Sequence, residues 1–185
     1  MKKRIFTYLS LIATLCLFLP PPASAQTYWS GTSTQDWTGS GTESDPYLIT
    51  TAEQLAGLSK AVQEGRDFKG EFIRLGNDLW LSNPSAPHEE KPQWTPIGGI
   101  TYKIGDGQWD YRVDTTFFRG NFDGGDFHIY NLYYNTLPDM SDWDDPFGSG
   151  AIDFNGWYKA MFGCLEGGSI KNLHLVNDTI IGAAD

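Results

Sequence analysis

Phe118-Arg-Gly-Asn-Phe-Asp-Gly-Gly125 aligns without gaps on Met161-Phe-Gly-Cys-Leu-Glu-Gly-Gly168, 43 residues further along the chain. Three glycines coincide, Asp123 falls on Glu166, and a short apolar run of strand length follows each copy. Asn131-Leu132 then matches Asn172-Leu173 once two residues are removed from the first copy. Between the copies, 135–158 carries Pro138, Pro146 and the acidic residues Asp139, Asp142, Asp144 and Asp145, and it reads as a loop inserted into a repeat. Without that insertion the period is about 20 residues, a solenoid spacing. A unit of two or three short strands with glycine corners has no second helix to cover its apolar residues, so it must stack on the next unit. Repeated segments in the same order therefore predict a mainly β fold, a right-handed parallel β-helix. The alternative is an antiparallel β-sandwich in which the Gly-Gly pairs are ordinary hairpin turns.

Working outward, one segment has a helical period. Thr51 and Gln54 have capping-box spacing, Leu55, Leu58 and Val62 recur on one face, and Gly65 ends the run. A helix over 51–64 at the start of the stack would cap its N-terminal end. Residues 26–46 are rich in Ser, Thr and Gly with little to bury, and read as a flexible lead-in arm. The β-helix then occupies 47–185, with projecting loops at 99–116 and 135–158. Thr179-Ile-Ile-Gly182 starts another strand just before Asp185, so the stack reads as truncated at its C-terminal end.

Lys2, Lys3 and Arg4, the apolar run 5–19 and Ala23-Ser24-Ala25 follow one another in the order of an export signal, so 1–25 reads as a signal peptide cleaved before Gln26. The run is too short for a membrane-spanning helix, and no span is expected after cleavage. Cleavage removes three of the 13 basic residues and none of the 23 acidic ones, leaving a net charge of −13. Such a chain is a poor partner for nucleic acid. With Cys16 in the signal, Cys164 stands alone and burial, not a disulfide, must hold the fold.

Gly41-Thr-Glu-Ser-Asp-Pro-Tyr-Leu-Ile-Thr-Thr-Ala-Glu-Gln-Leu55, Gly76-Asn-Asp-Leu79, Trp94-Thr-Pro-Ile-Gly98, Phe118 to Gly124, Ala160-Met-Phe-Gly163 and Ile170-Lys-Asn-Leu173 resemble the repeats of GLUG-motif proteins. The likeness spans about 39–182. It implies a right-handed β-helix from the N-terminal region of a long bacterial surface protein, of the adhesin-like or immunoglobulin A peptidase-like kind. Ala160-Met161-Phe162-Gly163 departs from the family's Gly-Leu-Phe-Gly. A scaffold resemblance confers no reaction, so function has to be argued from a site.

Each candidate site competes with a plainer role. His88-Glu-Glu-Lys-Pro92 lacks the second His of a zinc-peptidase helix and ends in a helix breaker. Arg119, Asp123, Asp126 and His128 form the closest grouping to an acid/base site, but the two Asp bracket a Gly-Gly corner, where Asp serves the turn. No catalytic residue and no cofactor are assigned. Asp142, Asp144 and Asp145 offer hard oxygens for calcium, but without EF-hand spacing, and a solvated loop is the ordinary fate of such a run; no metal is assigned. Trp109, Tyr111, Trp143 and Trp157 lie in or beside the projecting loops and are the candidate binding residues, since exposed rings stack on sugars or anchor a protein partner. The expectation is a secreted or outer-surface, non-catalytic binding or adhesion module for a host or environmental glycan or protein. The alternatives are a carbohydrate-active β-helix enzyme, a structural spacer, and the leading region of a larger secreted peptidase.

Overall fold

The computed structural model describes residues 26–104, 111–135 and 160–181. The export signal, the calcium candidates Asp142, Asp144 and Asp145, and most of the 135–158 loop lie outside the described residues. Strand β1 (Tyr47–Ile49) leads into helix α1 (Ala52–Gln63), followed by β2 (Phe72–Leu75), β3 (Leu79–Trp80) and a single 3-10 turn at His88–Glu90. Strands β4 (Gly99–Ile104) and β5 (Tyr111–Thr116) come next, then β6 (Asn121–Asp123), β7 (His128–Tyr130) and β8 (Tyr133–Asn135). The described chain closes with β9 (Ser169–Lys171), β10 (His174–Val176) and β11 (Thr179–Ile181).

Among the described residues the protein is mainly β with one α-helix, and three of its four sheets are parallel. One sheet has the order β1-β2-β6-β9 and a second β10-β7-β3, while β8 and β11 pair separately. All these pairings are parallel; β4–β5 is the one antiparallel strand pair among the described residues, so an antiparallel sandwich does not describe these sheets.

The strands are short because the chain turns at residues that accept the left-handed backbone conformation. Asp126, Asn131, Asn172 and Asn177 have φ of 62°, 58°, 51° and 57°. Asn and Asp bear this conformation better than other side chains. Asn131 separates β7 from β8, Asn172 separates β9 from β10, and Asn177 separates β10 from β11. Consecutive three-strand units, β6-β7-β8 and β9-β10-β11, thus lie strand on strand. At Gly124 the two units approach so closely that a Cβ would sit 1.9 Å from the Asn172 carbonyl oxygen.

Alternation along each strand sends apolar residues inward to stack in columns. Ile73, Phe122 and Ile170 form one, Leu79, Ile129 and Leu175 another. Ile73, Phe122, Leu79 and Ile129 are buried, whereas Leu175 in the final described unit is 40% exposed. Leu165 and Ile180, at 46% and 49%, face open space in the same way beside their buried partners Phe118 and Tyr134.

Helix α1 follows the sequence closely. The Thr51 hydroxyl accepts the Gln54 N–H at 3.2 Å, and the Gln54 side chain accepts the Thr51 N–H at 3.3 Å, which closes the capping box. Leu55, Leu58 and Val62 are buried, and the Ser59 hydroxyl donates to the Thr95 carbonyl at 2.7 Å, tying the helix to 95–97.

Two expectations need correction. The segment 26–46 was expected to have little to bury, yet Trp29 is buried and donates its backbone N–H to the Trp80 carbonyl. The Trp37 indole donates to the Gln54 carbonyl, so the arm lies along the helix. The repeat offset also differs. Phe118 pairs with Leu165 rather than Met161, and Asn121 pairs with Ser169. Gly163 instead lies beside Gly98: Ile97 donates to Met161, and Gly163 donates to Ile97. The β4–β5 hairpin has been inserted between Gly98 and Phe117, and matching glycines by type aligned Gly163 with the wrong partner.

Candidate functional site

The acid/base grouping is resolved into corner and bracing roles. Asp123 Oδ1 accepts the Gly125 N–H at 3.0 Å and the Asn172 amide at 2.9 Å, and Lys171 Nζ lies 3.4 Å from Oδ2. Arg119 donates to Asp67 at 2.8 Å and to Glu166 at 2.6 Å, while His128 faces Asp78. No hydrogen bond or ion pair joins any two of Arg119, Asp123, Asp126 and His128. His88 has its Nδ1 3.1 Å from the Tyr133 hydroxyl and stacks on that ring.

Partial burial opposes ionisation of Asp123, but the Gly125 N–H, the Asn172 amide and Lys171 together hold its carboxyl below the ordinary range. A depressed carboxyl contributes stability above its unfolded value of about 3.8. That contribution is lost as pH falls through the lower folded value. Asp123→Asn is therefore expected to flatten the acid limb of a pH–stability profile below about pH 4. Urea melts of both proteins across that range check it, and parallel acid limbs would remove Asp123 from the corner's energetics.

Of the loop aromatics, Trp109, Trp143 and Trp157 lie outside the described residues. Tyr111 opens β5, in the hairpin that interrupts the stack; its side chain is likewise outside what is described. The 99–116 loop thus contains a two-stranded ribbon, with Gly99 opposite Thr116 and Ile104 opposite Tyr111.

A second aromatic group emerges on the outer face of the β10-β7-β3 sheet. Trp80 and Tyr130 are cross-strand partners stacked at 5.2 Å with an interplanar angle of 7°. His128 stacks on Tyr130 at 5.7 Å and on His174 at 5.1 Å, with Asp78 Oδ1 3.6 Å from His128 Nδ1. Sequence reasoning passed over this group, although Leu79-Trp80 and His128-Ile129-Tyr130 alternate with period two around buried Leu79 and Ile129. A cleft of about 290 Å³ also opens between the arm, the helix and 93–95, lined by Trp29, Trp94, Ser59, Lys60 and Gln63. Within this cleft Ser59 and Gln63 already bond to the Pro96 carbonyl.

No family model, no curated protein and no solved structure matches this chain. No helix among the described residues is long and apolar enough to cross a membrane.

Proposed function

We propose that the protein is an exported, non-catalytic binding or adhesion module built on a right-handed parallel β-helix of the GLUG-motif kind, with α1 covering one end. The observation that carries this reading is the placement of the β4–β5 hairpin. Ile97 and Phe118 pair with Phe162 and Leu165 along one continuous neighbouring segment. Removing 99–116 leaves Ile97-Gly98-Phe117-Phe118, the same spacing as Phe162-Gly163-Cys164-Leu165. The hairpin is an addition to the stack rather than part of it, which is where a repeat scaffold carries contacts without disturbing its core. The acid/base candidates support a non-catalytic role, because Arg119 and Asp123 already brace neighbouring units.

In this reading Trp109 and Tyr111, with Trp143 and Trp157 on the second loop, make the contacts to a host or environmental glycan or protein. Joining Gly98 directly to Phe117 is expected to shift unfolding stability by no more than about 1 kcal/mol, since loop-closure entropy changes slowly with length. The same excision should abolish adhesion to immobilised mucin or polysaccharide. Thermal melts and plate-binding assays on the secreted protein, whose mass should begin at Gln26, test both parts. An excised protein that adheres as well as the parent would refute the loop assignment.

A further inference from the structure

The outer face of β3, β7 and β10 carries a row of aromatic side chains in which His128 is paired with Asp78, while the polar heads of Trp80, Tyr130 and His174 have no partner among the described residues, and this sorts those three from other rings. The indole N–H groups of Trp29, Trp37 and Trp94 donate to the carbonyls of Thr32, Gln54 and Met161. The Tyr47 and Tyr133 hydroxyls are held by Arg66 and His88. Trp80 and Tyr130 make no such bond, nor does the His174 ring, among the described residues. No buried side-chain polar atom among the described residues lacks a partner, so these heads are not buried. Their rings are nevertheless ordered, Trp80 on Tyr130 and Tyr130 beside His128, which stacks on His174.

From this we infer that Trp80, Tyr130, His128, His174 and Asp78 form a second binding strip, separate from the loops, whose ligand is a neutral glycan chain. Ordered aromatic residues with a wet polar tip suit a partner that is itself apolar on one side and polar on the other. A sugar ring brings C–H groups to an aromatic face, such as the side of Trp80 turned away from Tyr130 at the end of the sheet, and hydroxyls to the indole N–H, the phenol, the imidazoles and the carboxylate. An apolar peptide would desolvate those heads without pairing them, which costs free energy. The formal charge of −10 and Asp78 within the strip disfavour an anionic polysaccharide. The strands carrying the rings recur at about 4.8 Å along the stacking direction. The strip therefore follows the stack, and an extended chain can lie along it in contact with successive strands.

The test uses the full secreted chain with neutral cello-, manno- and N-acetylchito-oligosaccharides, followed by calorimetry and by NMR. At least one of these is expected to bind, with affinity falling about tenfold or more in Trp80→Ala and severalfold in Tyr130→Phe. The second variant removes only an exposed hydroxyl and His174→Ala only an exposed ring, so both keep the fold and read binding alone. The hairpin-excised protein should still bind these short sugars, which separates this strip from the loop reading. Absence of binding to every neutral oligosaccharide, unchanged affinity in Trp80→Ala, Tyr130→Phe and His174→Ala, or stronger binding of sulfated or uronate oligomers would each overturn the inference.

Discussion

Phe118→Ala is expected to lower unfolding stability by about 3–5 kcal/mol, while Leu165→Ala, at the neighbouring position of the same column, costs roughly 1 kcal/mol or less. The Phe118 ring has no exposure and packs between Phe68 and Phe162, at 6.2 and 5.4 Å. Its loss removes the transfer free energy of a whole phenyl group. It also leaves a void that cannot close readily, because the Phe118 backbone is fixed on both sides by bonds from its N–H to Cys164 and from Glu166 to its carbonyl. Leu165 pairs with Phe118 in the parallel bridge but is 46% exposed, so its side chain has little burial to lose. The contrast isolates position along the stack from residue type. Urea unfolding of the two variants measures it, and equal losses would mean that the columns do not end where the exposures place their ends.

How much of this was legible beforehand depended on whether the signal was local. The helix could be read because everything that makes it is contained in 51–65: a capping box, one apolar face and a glycine stop. The β character could be read from short apolar runs between Gly, Asn and Asp. Register could not, because it depends on which apolar residues stack inward and not on which glycines recur. Gly120 and Gly163 match as letters, but the insertion of β4 and β5 after Gly98 separates Ile97 from Phe118, and both pair with 162–165. The αL corners at Asn131 and Asn177 keep the two units in step, with Tyr130 opposite Val176 before them and Tyr133 opposite Thr179 after them.

The aromatic strip illustrates the same limit. Trp80 and His174 are far apart in sequence, and only the parallel pairing of β3, β7 and β10 brings their neighbours together. Loop residues drew attention first because glycine and acidic surroundings mark exposure locally. A ring on a strand gives no such mark until its inward neighbour is known to be buried.

The arm along the helix leads to an expectation whose sign opposes helix propensity. In a solvent-exposed helix, Gly→Ala stabilises by about 1 kcal/mol. At Gly57, in the middle of α1, a Cβ would lie 1.8 Å from the Thr34 carbonyl oxygen and 2.6 Å from its carbon. The clash is with backbone, so no rotamer relieves it. Moving the arm away is costly as well: Thr34 donates to Glu53, the Trp37 indole to Gln54, and the Gln54 amide to Asp36. Gly57→Ala is therefore expected to destabilise by about 2–3 kcal/mol, overpacking outweighing the propensity gain. In a Trp37→Ala background the arm is already loosened, and the same substitution should cost measurably less, a coupling that a double-mutant cycle reads directly. A gain in stability from Gly57→Ala in the parent chain would mean that 32–37 does not rest on the helix in solution, and it would restore the reading of 26–46 as a free arm.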